Sequence, residues 1–72
     1  MSTAKIVLQA DTALKASFYA PVRRLSVHNS EDALIISGRV ETYFFKQVAQ
    51  EVVMQLRGNL RLDNRVDVVR AS

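Results

Sequence analysis

The chain has 72 residues, with ten Lys and Arg against seven Asp and Glu for a net charge of +3, one histidine and no cysteine. A chain this short makes one small domain that buries only about 60% of its unfolded surface, which excludes a second domain, an extensive core and any disulfide or thiolate-metal framework within it. The slight positive balance favours anionic partners without choosing among nucleic acid, anionic lipid and plain solubility.

The first ten residues contain one lysine and the short apolar run Ile6-Val7-Leu8. This is far short of a secretory h-region or a membrane span, so the chain as written is expected to be soluble, without a transmembrane segment, and cytoplasmic. Thr3 or Asp11 can cap a first helix that ends near Tyr19, because Pro21 disfavours helical geometry at Ala20. The favoured core of this helix is Ala10 to Phe18. At 100° per residue Val7, Ala10, Leu14 and Phe18 share a face for docking, and Leu8, Thr12, Lys15 and Tyr19 point away.

From Val22 to Asn29 the period changes to two, with Leu25 and Val27 opposite Arg24, Ser26 and His28, which predicts a strand. Asn29-Ser30-Glu31-Asp32 is a turn, and Ala33 to Val40 alternates Leu34, Ile36 and Gly38 against Ile35, Ser37 and Arg39. A hairpin with His28 opposite Ala33, Val27 opposite Leu34 and Leu25 opposite Ile36 places both apolar sets on one side.

Thr42 is the expected N-cap of a second helix that runs to Arg57, with Phe45, Val48, Ala49, Val52, Val53 and Leu56 on its core face and Gly58 as its left-handed stop. A last strand, Leu60 to Arg70, sets Leu60, Leu62, Asn64, Val66 and Val68 inward against Arg61, Asp63, Arg65 and Asp67 outward. A strand, a crossover helix and a strand in one sheet make a parallel pair, which puts the apolar second strand in the centre. The expectation is an α+β domain of order αββαβ: a three-stranded mixed sheet with two helices packed on one face, ordered from about residue 8 to residue 70. Arg24, His28, Ile35, Arg39, Arg61, Asp63, Arg65 and Asp67 are expected on the other, mostly solvated face.

The run Leu34-Ile35-Ile36-Ser37-Gly38-Arg39-Val40-Glu41-Thr42, followed by Ala49, Val52-Val53, Leu56, Gly58, Leu62 and Asn64, resembles the BON domain (bacterial OsmY and nodulation domain). The resemblance covers nearly the whole chain. The chain differs from the family pattern at Asp32, where a glycine is usual, at Asn59, where a hydrophobic residue often stands, and in its aromatic Tyr43-Phe44-Phe45 run. The resemblance implies a non-catalytic bacterial αββαβ module, often periplasmic in the family, that attaches to phospholipid or other hydrophobic surfaces.

Tyr43, Gln47, Gln50 and Met54 recur along the helix face opposite the core stripe, spanning about 16 Å at 1.5 Å per residue. With Phe44 on the flank and Lys46 nearby, they form the candidate surface for lipid or a protein partner. The second reading is a weak nucleic-acid binder using Arg23, Arg24, Arg39 and Arg65. It is the lesser expectation, because Asp63 and Asp67 alternate with Arg61 and Arg65, and the sheet face offers no aromatic for base stacking. A third reading is self-association through edge strands or the Tyr43-Met54 stripe, giving a monomer or weak homo-oligomer. His28 beside a turn has no second histidine or cysteine to complete a metal set, and neither a nucleophile with its base nor a converging carboxylate pair is indicated; no catalytic residue, metal or cofactor is expected. Gly38 is expected to make room for a crossing helix, and the Asn64 amide to satisfy nearby backbone groups.

Overall fold

The computed structural model describes residues 3–70. Helix α1 spans Thr3–Lys15, a short helix α2 spans Ala20–Arg23, strands β1 and β2 span Ser26–Ser30 and Ala33–Ser37, and strand β3 spans Arg39–Val40. Helix α3 then covers Tyr43–Met54, followed by strands β4, Arg61–Asn64, and β5, Asp67–Val68. The fold is α+β, with a mixed sheet in the order β1-β2-β4, β1 antiparallel and β4 parallel to the central β2. Strand β2 is central because it is apolar on both sides: Ala33, Leu34, Ile35 and Ile36 are all buried.

Both long helices share one core with the inward side of this sheet. Ile6, Ala10 and Leu14 of α1 and Ala49 and Val53 of α3 close over Val27, Leu34 and Ile36, joined by Val22, Leu25, Val40 and Val66. Burying side chains of this kind contributes roughly 1.5–3 kcal/mol each. Helix α1 lies toward β1 and α3 toward β4.

The first helix begins at Thr3 and stops at Lys15, earlier at both ends than the Ala10 to Phe18 core read from the sequence. Its buried stripe is Ile6, Ala10 and Leu14, while Phe18 is 89% exposed. The helix ends where Ser17 N bonds Leu14 O at 3.1 Å and Ser17 Oγ accepts from Tyr19 N at 3.2 Å, a local side-chain bond that competes with the helical ladder. Ala20, expected to leave helical geometry before Pro21, and Val22, expected to begin the first strand, instead lie in α2, and β1 starts only at Ser26. Proline fits the first turn of a helix, where its missing N–H costs nothing, and the turn drives Val22 fully into the core.

The hairpin register also differs from expectation. Ser30 pairs with Ala33, His28 with Ile35 and Val27 with Ile36, two residues away from the expected alignment. A slip of two preserves the face of every side chain, so the apolar sets still meet. The two-residue turn that sets it requires Glu31 at φ 52, in the left-handed region.

The strand expected from Ala33 to Val40 is bent at Gly38, φ 135, and the last strand is interrupted between Asn64 and Asp67. The two breaks match. Ala33 aligns with Arg61, Ile36 with Asn64, Arg39 with Asp67 and Val40 with Val68, so one register runs through both parallel pairings. Arg65 N to Ile36 O at 2.9 Å and Asp67 N to Gly38 O at 3.0 Å carry the ladder across the bend. Gly38 makes room for Leu25, not for a helix: a Cβ built there lies 2.6 Å from Leu25 Cδ2.

Ile35, expected on the solvated face, is buried at 6% exposure, because His28 and Asp63 flank it in register on both sides. Val68, expected inward, is exposed. Thr42 occupies the N-cap position of α3 with extended backbone but makes no side-chain cap bond, and α3 ends at Met54, capped by Gln55, rather than running to Arg57. Gly58 takes φ 60 in the loop beyond, beside Ile6.

Candidate functional site

The loop between α1 and α2 is held by its own hydrogen bonds. Arg23 Nη1 donates to Ser17 O at 2.9 Å and to Phe18 O at 3.2 Å, which fixes the backbone that carries Phe18 into solvent. Phe18 meets Tyr19 edge-on at 5.5 Å, Tyr19 meets Phe44 edge-on at 5.4 Å, and Phe45 lies 5.5 Å from both Tyr19 and Phe44. Such edge-to-face pairs are worth about 0.5–1.5 kcal/mol each beyond their buried area. Tyr19 and Phe45 pack on the core, and Phe18 and Phe44, 54% exposed, form the outer rim. The result is an aromatic end of the molecule, rooted in the core and open to solvent, with the exposed Arg23 guanidinium at its base.

The helical repeat explains this placement. Phe45 falls on the core side of α3, and Phe44, 100° earlier, is turned toward the α1–α2 loop. Tyr43, another 100° away, lies on the opposite flank with Glu41, Thr42, Val68 and Arg70. The structure therefore divides the residues singled out on α3 among several surfaces. Phe44 joins the aromatic end, and Tyr43, 67% exposed, joins the β5 side. Lys46 and Gln50 face β4, where Asn64 Nδ2 donates to the Lys46 carbonyl at 3.1 Å and to Gln50 Oε1 at 3.4 Å. Gln47 and Met54 remain exposed along the helix.

Phe18 and Tyr19 escaped sequence reasoning because the helical period was continued past Lys15. The available signal was a serine before two aromatics and a proline two residues after them, a pattern that breaks a helix.

A shallow apolar groove leads away from the aromatic end between the two long helices. Leu8 and Ala13 of α1 and Ala16 just beyond it face Val48, Val52 and Leu56 across it. Small residues on α1 leave the seam open.

The four arginines considered for anion binding do not act as one group. Arg23 holds the α1–α2 loop, and Arg65 Nε donates to Asp63 Oδ2 at 2.7 Å. Arg39 stands beside Asp67 in the parallel register, and Arg24 closes α2. His28 is exposed on β1. Among the described residues no cluster of three or more His, Cys, Asp or Glu could hold a metal ion, and no helix is long and apolar enough to cross a membrane. Neither a family model nor a curated protein matches the chain.

Proposed function

We propose that this chain is a non-catalytic, BON-like binding module that attaches to a lipid surface through its aromatic end. The observation that carries the reading is the edge-packed group Phe18, Tyr19 and Phe44, exposed at its rim yet rooted in the core through Phe45. A rigid, preformed set of rings loses little conformational freedom on docking, and aromatic side chains favour the boundary between headgroups and acyl chains. Arg23 at the base of the rings supplies positive charge where anionic headgroups would lie. The apolar groove beside it extends the same surface.

Flotation with phosphatidylglycerol-containing and pure phosphatidylcholine vesicles tests the reading. The native chain is expected to float with the anionic vesicles. Phe18→Ser and Phe44→Ser should each weaken binding about tenfold or more, the worth of one buried phenylalanine. Flotation unaffected by either substitution overturns the aromatic site. If vesicles fail to bind and an oligonucleotide binds with steep salt dependence, the function passes to the arginines. If both fail, the rings serve a protein partner.

A further inference from the structure

Among the described residues no strand pairs with the outer edge of the sheet, made by β4 and β5, and the sequence of that edge is complementary to itself. In the parallel ladder Arg61, Arg65 and Asp67 turn their N–H groups inward, to Asp32 O, Ile36 O and Gly38 O. The alternation of a strand therefore aims the backbone of Leu62, Asn64 and Val66 outward, toward the uncovered side. Natural edges often block pairing with charged side chains, lysine above all, with proline or with bulges. Here the solvent-side charges alternate as Arg61, Asp63, Arg65, Asp67.

We propose that this edge pairs antiparallel with the same edge of a second copy, about a two-fold axis passing at Asn64. In that register Asp63 faces Arg65 of the second copy and Arg61 faces its Asp67, and symmetry repeats both pairs. On the core side Leu62 faces Val66. Every charged pair is opposite in sign, and every outward-aimed backbone group lies opposite its complement. Shifting the axis by one residue either way ruins the match: centred on Asp63 it opposes Arg61 to Arg65, and centred on Arg65 it opposes Asp63 to Asp67. Within residues 61 to 68, centring on Leu62 or Val66 opposes only one kind of unlike pair, Arg61 with Asp63 or Arg65 with Asp67, so the alignment at Asn64 matches the most charges.

Two features of the monomer fit this arrangement. The Asp63–Arg65 and Asp32–Arg61 ion pairs are exposed, so their charges can exchange partners at little cost. Helix α3 lies toward β4, so pairing would bring the Gln50 and Met54 side of one α3 toward that of the other. Val66 N now donates to Asn64 Oδ1 at 3.2 Å, and in the dimer it would turn to Leu62 O of the second copy. The inference stands independently of the aromatic end.

Sedimentation of the native chain at low ionic strength, up to about 1 mM, is expected to show a monomer–dimer equilibrium. Asp63→Arg and Arg65→Asp should each weaken self-association about tenfold, because each variant sets like charges against one another twice. Mixed together, the two variants should associate as well as the native chain, since every facing pair is again opposite in sign. The double variant Asp63→Arg/Arg65→Asp should also recover. Circular dichroism on each variant separates loss of pairing from loss of fold. A native chain that stays monomeric, single variants that dimerise normally, or a mixture that stays apart overturns the proposal.

Discussion

Gly38 lies against Leu25 so closely that a Cβ at position 38 would fall 2.6 Å from Leu25 Cδ2 and 3.5 Å from its Cα. The same residue holds φ 135, a conformation that side chains rarely adopt. Leu25 is 1% exposed and cannot retreat without opening the core. Gly38→Ala should therefore cost about 2–4 kcal/mol, combining backbone strain with overpacking, and urea unfolding would read it as a lower midpoint at unchanged slope.

Asn64 joins the last strand to α3. Its amide nitrogen donates to Lys46 O, and its oxygen accepts from Val66 N at the bend. Asn64→Ala should lose about 1–2 kcal/mol and speed hydrogen exchange at Val66. Asn64→Asp should lose more, because a carboxylate oxygen would then face the Lys46 carbonyl and Gln50 Oε1. Equal stability of the two variants would contradict this account.

Glu31 adopts left-handed geometry with a bulky side chain, at the first position of the two-residue turn. Relief of that strain exceeds the entropy glycine adds to the unfolded chain, so Glu31→Gly should stabilise by about 0.5–1 kcal/mol. A small domain would register this as a rise of several degrees in Tm.

Phe18 and Leu14 stand one helical turn apart in sequence and on opposite sides of the core boundary. Leu14→Ala should cost about 2–5 kcal/mol, whereas Phe18→Ala, which loses only the edge contact with Tyr19, should cost no more than about 1 kcal/mol. Thermal unfolding of the two variants checks the assignment. A large loss at Phe18 would return it to the core.

The sequence determined the elements whose pattern is strong over several residues. Ala33-Leu34-Ile35-Ile36 was legible as the central strand, since the hairpin sets the first strand on one side of it and the crossover helix returns the last strand to the other. The stripe through Ala49 and Val53 could only face the sheet. The parallel pairing of the last strand with the second followed from the helix between them, and Asn64 was recognisable as a polar residue seeking backbone groups.

Tertiary structure decided what periodicity leaves degenerate. A two-residue slip in the hairpin keeps every side chain on its face, so pattern could not choose between registers; the turn geometry of Glu31 did. Phe18 fits the helical wheel, but a wheel applies only where the helix persists, and the burial of Val22 behind Pro21 turned the chain away first. Alternation alone sets Ile35 on the solvated face, and it is buried because His28 and Asp63 stand on both sides of it. The aromatic end has the same origin. Phe18 and Phe44 are 26 residues apart in the chain and are brought together only by the packing of α3 against the α1–α2 connection.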